Sequence, residues 1–107
     1  MENNRRREYA KDRRLRLPIH YESSYWYKRK KAREQYCEDQ NWKCWYCEHD
    51  LREKPPSFIT EKPFNRKLFP KMFLAHSIHL QHSHETGMTE GAVHARCNAV
   101  LWQYEGR

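Results

Sequence analysis

The sequence predicts a small α+β domain, and three observations support that prediction. Residues 78–82 alternate between apolar and polar side chains, which is typical of a half-buried strand. Residues 92–104 instead repeat apolar side chains at helical spacing. Only 37% of the 107 residues are hydrophobic, so one domain at most is expected, and its small core needs reinforcement.

The first third of the chain predicts a basic arm followed by a helix. Residues 1–22 carry charges without a steady period and are expected to lie outside the domain, with their order left open. Ser23 or Ser24 would cap a basic helix that runs to about Gln40, since this segment has no Gly or Pro. The domain is therefore expected to span residues 23–107.

The rest of the chain predicts a hairpin and a second helix. Four prolines over residues 52–70 indicate an irregular connection. After the strand at 78–82 a turn follows, and Thr89 or its neighbour begins a short returning strand. The helix over 92–104 would end before Gly106. Its expected core face consists of Val93, Cys97, Val100, Leu101 and Tyr104.

Two pairs of metal-binding side chains predict the reinforcement. Cys44 and Cys47 form a CxxC pair, and His94 and Cys97 follow after 46 intervening residues. In the predicted helix, His94 and Cys97 lie on one face about a turn apart. Four sulfur and nitrogen ligands can close a tetrahedral zinc site, so structural Zn²⁺ is expected here. The alternative is a buried Cys97 beside an unrelated histidine.

The remaining cysteine and the start of the chain indicate the cellular compartment in which the protein is expected. Cys37 is expected to be a buried small side chain within the first helix. The beginning of the chain lacks the apolar run of a signal peptide, and no stretch approaches the roughly 20 apolar residues of a membrane span. A soluble, intracellular protein without membrane contact is therefore expected, in which thiols stay reduced.

Positive charge predicts a nucleic-acid partner. The net charge is +7, and 12 of the 21 Lys and Arg residues lie within the first 33 positions, where aromatic residues interleave with them. Such clusters neutralise phosphates and release counterions. A solvated helix face or a disordered basic tail is the alternative. The candidate contacts are Arg13, Arg14, Lys28, Arg29, Lys30, Lys31, Arg33 and Arg96.

Three histidines within six residues form a candidate catalytic centre. His79, His82 and His84 lie beside Glu85. Histidine serves as a general base near neutral pH or as a metal ligand. A single histidine of this kind is more often a surface or hydrogen-bonded residue, but three beside a metal-organised helix favour a functional site.

Two segments resemble the active-site stretch of the recombination endonuclease VII branch of the HNH nucleases. They are His79-Leu-Gln-His82-Ser-His84-Glu-Thr-Gly87 and Gly91-Ala-Val-His94-Ala-Arg-Cys97-Asn98. The upstream CxxC pair and the basic, aromatic-rich helix before it also match the family. The resemblance implies a ββα-metal fold, in which two strands and a helix hold a catalytic Mg²⁺ or Mn²⁺ ion and a zinc knuckle joins the strands to the helix.

The resemblance also implies a role for each residue of the site. His82 would be the general base that takes a proton from the attacking water. Asn98 would bind or position the catalytic ion, and Gln81 occupies the position of a second ligand. His79 and His84 would bind phosphate or orient water. The implied zinc ligands are Cys44, Cys47, His94 and Cys97.

Gln81 and Ser83 depart from the family's pattern, because each stands where relatives usually have an aspartate. A neutral amide is a weaker ligand for Mg²⁺ than a carboxylate. Two functions therefore stay open, a metal-dependent endonuclease and a catalytically inactive zinc module that binds nucleic acid or a nucleoprotein assembly. A third, a purely structural zinc protein with a protein partner, agrees poorly with the basic arm.

DNA is the expected partner, and the resemblance suggests branched or nicked DNA. It also suggests a phage origin, and hence the cytoplasm of the host cell. Whether the chain acts alone, as a homodimer through the helix after residue 23, or with a larger phage protein stays open.

Overall fold

The computed structural model describes residues 14–106, so the predictions for residues 1–13, including Arg13 as a nucleic-acid contact, lie outside the described part. The strands β1 (Ile78–His82) and β2 (Thr89–His94) pair antiparallel. The prediction of a small α+β fold is confirmed. The helices are α1 (Trp26–Asp39), α2 (Ser57–Thr60), a short 3₁₀ helix (Lys71–Leu74) and α3 (Ala95–Glu105).

Helix α1 begins slightly later than predicted, because the two serines are engaged in the turn before it. Tyr25 precedes the first helical residue, and its side chain makes no capping hydrogen bond. The Ser24 hydroxyl donates to the His20 carbonyl (2.6 Å), and Ser23 Oγ lies 3.0 Å from His20 Nδ1. The prediction of a serine cap is therefore wrong. The buried residues of α1 are Ala32, Gln35 and Cys37.

Residues 14–24 pack against the domain. The Ile19 N–H donates to Thr89 Oγ1 (3.0 Å), and the Thr89 N–H donates back to the Ile19 carbonyl (2.9 Å). Ile19 is buried in a small cluster with Ala32 and Leu80. This segment supplies partners to the edge of β2, whose backbone groups would otherwise face solvent. Packed structure thus extends toward the N-terminus beyond the domain boundary expected at residue 22.

The hairpin follows the prediction at its beginning and departs from it at its end. β1 spans the predicted residues, and β2 begins at Thr89. However, β2 continues to His94, because Val93 pairs with His79 across the sheet and is fully buried there. A β-branched residue in a paired, buried position favours a strand over the helical spacing of its neighbours. Helix α3 therefore begins at Ala95, and the predicted start at residue 92 is wrong.

A β-bulge interrupts the pairing beside the histidine segment. Gln81 lies opposite Gly91, but His82 lies opposite Thr89, so Glu90 is an extra residue of β2. A bulge bends its strand and redirects the side chains next to it. Strict alternation would put Gln81 and His82 on opposite faces of β1, so a shared site for both needs an irregularity of this kind.

The main core lies where β2 and α3 meet the CxxC turn. Tyr104, predicted to face this core, is 46% exposed, because its hydroxyl donates to the Pro63 carbonyl at the surface. Gly106 ends α3 as predicted, with a φ of 68°. Within residues 14–106, no helix combines the length and apolar character needed to cross a membrane. The core residues are Cys37, Cys44, Cys47, Leu51, Ile59, Ala92, Val93, Cys97, Val100 and Leu101.

Candidate metal centre and histidine cleft

The four predicted zinc ligands form one cluster. Their ligand atoms all lie within 4.8 Å of one another, and all four residues are buried. His94 Nδ1 lies 3.4 Å from Cys47 Sγ and 3.6 Å from Cys97 Sγ. Bonds of 2.0–2.3 Å in a tetrahedron give nitrogen–sulfur edges of about 3.5 Å. Cys44, Cys47, His94 and Cys97 can therefore bind a metal such as zinc.

The groups around the cluster also suit a metal. His94 Nε2 lies 2.9 Å from the Asp50 carbonyl and 3.0 Å from the Glu53 carbonyl, so this nitrogen carries the proton and Nδ1 presents its lone pair to the sulfurs. The backbone N–H groups of Tyr46 and Cys47 donate to Cys44 Sγ (3.4 and 3.5 Å). Donors of this kind stabilise a thiolate, which is the form that binds metal.

Local backbone geometry brings the two ligand pairs together. Trp42 and Glu48, on either side of the CxxC pair, have positive φ values of 61° and 65°, which make the turn tight. His94 is the last residue of β2 and has extended backbone geometry, whereas Cys97 lies in the first turn of α3. The expectation that both lie on one helix is wrong, but the strand-to-helix junction still directs both toward the CxxC turn.

The thiols of the cluster differ in their affinity for protons. The hydrogen bond from the Cys97 thiol lowers the pKa of Cys44 to about 3, against the opposing effect of burial. The same hydrogen bond, together with burial, raises the pKa of Cys97. One thiolate is thus stabilised within the cluster, and binding a metal would release the remaining thiol protons.

A cleft of about 500 Å³ is lined by all five residues of β1. It collects all five of the residues predicted to be catalytic, together with two arginines of α1. Within residues 14–106, the side chains that line it include no Asp or Glu. The lining residues are Tyr21, Trp26, Arg29, Arg33, Phe69, Met72, Phe73, His76, Ile78, His79, Leu80, Gln81, His82, His84, Asn98 and Trp102.

His82 is held by aromatic contacts. Its ring stacks on Tyr21, with ring centroids 4.0 Å apart and an interplanar angle of 9°. The Arg29 guanidinium also lies 4.0 Å from the Tyr21 ring centroid, and its Nε donates to the Tyr21 carbonyl (2.8 Å). Burial lowers the pKa of His82, and nearby His84 lowers it further. The imidazole is therefore neutral at neutral pH and can accept a proton.

His79 positions Asn98. Asn98 Nδ2 lies 3.1 Å from His79 Nδ1. Hydrogen bonds to the backbone of Phe73 and His76 act to raise the pKa of His79, so the imidazole donates to them, although burial lowers the pKa overall. With its proton used there, His79 Nδ1 accepts from the Asn98 amide nitrogen. The Asn98 carbonyl oxygen is then the atom left to bind a ligand.

Gln81 is only 2% exposed, and its amide nitrogen is engaged. The nitrogen donates to the His82 carbonyl (2.9 Å) and to Glu90 Oε1 (3.3 Å), the side chain of the bulge residue. Gln81 and Asn98 therefore both offer amide oxygens. Amide oxygens are suitable ligands for Mg²⁺ or Mn²⁺, but they carry no charge. They would therefore hold the ion weakly unless an anionic group also binds it.

His84 completes a line of rings along the cleft. Its ring centroid lies 4.9 Å from that of His82 and 4.0 Å from that of Trp102, in both cases nearly perpendicular. Together with the Tyr21–His82 stack, these contacts join four rings from the N-terminal segment to α3. Ring contacts of this kind restrain the two histidines in fixed orientations.

The predicted basic contacts are distributed unevenly. Arg29 and Arg33 line the cleft. Arg14 forms an ion pair with Asp39 on the surface, and the Arg96 guanidinium lies over the ring of Phe64 (4.8 Å). Neither Arg14 nor Arg96 lines the cleft. Lys28, Lys30 and Lys31 lie on the same helix as the two cleft arginines.

Sequence reasoning missed several side chains of the cleft. Tyr21 was assigned to the arm, and Trp102 lies on the face of α3 away from the predicted core. His76 precedes β1 and belongs to none of the motifs recognised in the sequence. The one available signal was the aromatic residues before the basic part of α1, among them Trp26.

No family model, no curated protein and no solved structure matches the chain. The resemblance to endonuclease VII therefore stays a prediction.

Proposed function

We propose that the chain is a metal-dependent endonuclease of the HNH type that hydrolyses phosphodiester bonds in DNA at the histidine cleft. The observation that carries the proposal is the convergence of three histidines, Asn98 and two arginines of α1 in one cleft. The order of strand, strand and helix, with a Cys₃His cluster at the β2–α3 junction, also supports it.

His82 has the properties of the general base. Its lowered pKa keeps the imidazole neutral, and its stack on Tyr21 fixes the ring. A neutral, positioned imidazole can take the proton of a water molecule that attacks phosphorus. The Arg29 and Arg33 side chains attract the phosphate and oppose its negative charge.

Asn98 and Gln81 would hold the Mg²⁺ or Mn²⁺ ion through their amide oxygens. When bound, the ion would stabilise negative charge on the reacting phosphate. Because both ligands are neutral, we expect the substrate phosphate to contribute to ion binding. The Cys₃His cluster has a separate structural role, since its four protein ligands are buried and together can complete a tetrahedral metal site.

Removal of the proposed base tests the function. Plasmid and branched DNA are incubated with purified protein in Mg²⁺ or Mn²⁺, and cleavage products are resolved on gels. We expect His82→Ala to lower the cleavage rate at least 100-fold, the usual contribution of a general base. Unchanged zinc content and thermal unfolding would show that the variant folds. Cleavage at the wild-type rate by His82→Ala would rule out His82 as the base.

A catalytically inactive DNA-binding module is the second candidate, and the missing carboxylate favours it. Gln81→Asp would place a charged ligand in the same cleft as Asn98 and should strengthen Mg²⁺ binding. If the proposed nuclease is correct, the wild-type chain cleaves DNA and Gln81→Asp lowers the Mg²⁺ concentration at half-maximal rate. DNA binding without cleavage by the wild type, with cleavage by Gln81→Asp, would establish the inactive module instead.

A further inference from the structure

We infer that the cleft accepts an unpaired nucleic-acid strand and that Trp26 and Trp102 stack on its bases. The inference rests on the proposed function for the position of the scissile phosphate, and it adds the class of substrate. Three observations carry it, namely the exposure of the two tryptophans, their position in the same cleft as Arg29 and Arg33, and the absence of Asp and Glu among the described residues that line the cleft.

Trp26 lies beside the phosphate-attracting groups. It is the first residue of α1 and is 75% exposed, although an indole normally gains free energy by burial. Trp26, Arg29 and Arg33 occupy helix positions i, i+3 and i+7, so they share one face of α1, and all three line the cleft. An aromatic side chain in series with two arginines matches the alternation of base and phosphate along a nucleic-acid strand.

Trp102 lies on another element of the same cleft. It belongs to α3, is 44% exposed, and contacts His84 at a ring distance of 4.0 Å. The line of rings from Trp102 through His84 leads to His82, the proposed base. A base stacked on either tryptophan would therefore lie beside the residues that act on its phosphate.

Only an unpaired strand can use these surfaces. In a duplex both faces of each base are covered by neighbouring base pairs, so an aromatic side chain finds no free face unless a base is unstacked. The cleft volume of about 500 Å³ also falls in the range of sites that enclose a small ligand, which suits individual nucleotides. Among the described residues, the lining includes Arg29 and Arg33 but no Asp or Glu, which favours a negatively charged backbone there.

Binding measurements test the inference independently of cleavage. Fluorescence anisotropy compares a labelled single-stranded DNA with a duplex of the same length, at fixed salt and without added Mg²⁺ or Mn²⁺. We expect tighter binding of the single strand by the wild type. Trp26→Leu should weaken single-strand binding about 10-fold and duplex binding less than about 2-fold, since stacking contributes only to the former.

Tyr25→Leu is the matched control. Tyr25 precedes Trp26 and is 82% exposed, but it does not line the cleft. We expect Tyr25→Leu to bind both DNAs like the wild type. Equal weakening by Trp26→Leu and Tyr25→Leu would overturn the inference, as would wild-type preference for the duplex. An RNA strand of the same sequence identifies which type of strand the site prefers.

The outcomes separate the inference from the proposed function. Preferential, Trp26-dependent binding of single strands without any cleavage would support the stacking site and contradict the nuclease. DNA cleavage by the wild type, together with equal binding of single strands by the wild type and Trp26→Leu, would support the nuclease and overturn the stacking site.

Discussion

His82 depends on a neighbour that lies 61 positions away in the chain, and this dependence can be measured. Tyr21 covers one part of the imidazole by parallel stacking, and the backbone of Tyr21 is itself tied to the hairpin, because its N–H donates to the Gly87 carbonyl (2.8 Å). Burial is the main cause of the lowered pKa of His82. Tyr21 therefore positions the proposed base, and its stack contributes to the burial that lowers the pKa of His82.

Tyr21→Ala should raise the pKa of His82 toward its ordinary value of about 6.5, because the imidazole becomes more solvated. The active form of a base is the neutral one, so the acid limb of the cleavage rate should shift to higher pH. Histidine titration by NMR and a pH–rate profile measure the two effects. Tyr27→Ala, at an exposed position outside the cleft, is the control. An unchanged pKa of His82 in Tyr21→Ala would contradict the explanation.

The lowered pKa of His82 also makes the stability of the fold depend on pH. Because folding lowers the pKa of His82, the unfolded chain binds the proton more readily between the two pKa values. The contribution of His82 to stability is therefore complete above the unfolded pKa and is lost as the pH falls through the folded one.

At the scale of the elements, local sequence patterns predicted those strand and helix boundaries that depend only on residues nearby in the chain. The strand at 78–82 and the end of α3 at Gly106 follow from alternation and from glycine's freedom at positive φ. The start of α3 and the docking of residues 14–24 depend instead on pairing with distant partners, which no local spacing contains. The clustering of the zinc ligands was predictable because ligand type and spacing carry their own chemistry. The cleft's aromatic side chains were not, since tyrosine and tryptophan have no such signature in the sequence.

The contact between β2 and the CxxC turn provides a test at this scale. A Cβ atom at Gly91 would lie 2.8 Å from Gln40 Oε1 and 2.8 Å from Trp45 Cδ1. The Gln40 side chain also holds β2, because Oε1 accepts from the Ala92 N–H (2.9 Å) and Nε2 donates to the Ala92 carbonyl (3.0 Å). Gly91→Ala should therefore lower the free energy of unfolding by about 1–3 kcal/mol.

Chemical denaturation measures this change, and Gly106→Ala is its control. A Cβ at Gly106 meets nothing within 4 Å, so that substitution disturbs only the end of α3 through its positive φ. A Gly91→Ala variant that is no less stable than Gly106→Ala would show that β2 and the turn are not tightly packed.

At the scale of the whole molecule, the Cys₃His cluster joins three elements within the main core. Its ligands come from the turn after α1, the end of β2 and the first turn of α3. Only 37% of the residues are hydrophobic, so the apolar core around these ligands is small. A structural zinc site in a small domain contributes on the order of 10 kcal/mol to folding, which exceeds the net stability of many domains of this size. Zinc binding and folding should therefore be coupled.

Removal of zinc should consequently unfold the chain rather than only inactivate it. We expect elemental analysis to find one zinc per chain, and a strong chelator to abolish the cooperative thermal transition seen by circular dichroism. Because the thiols must lose protons to bind zinc, the chelator concentration needed for half unfolding should fall as the pH is lowered. Cys97→Ser should reproduce the unfolding, whereas Cys37→Ser, which alters a buried cysteine outside the cluster, should retain zinc. A zinc-free chain that keeps its thermal transition would show that the apolar core alone is sufficient to hold α1, the hairpin and α3 together.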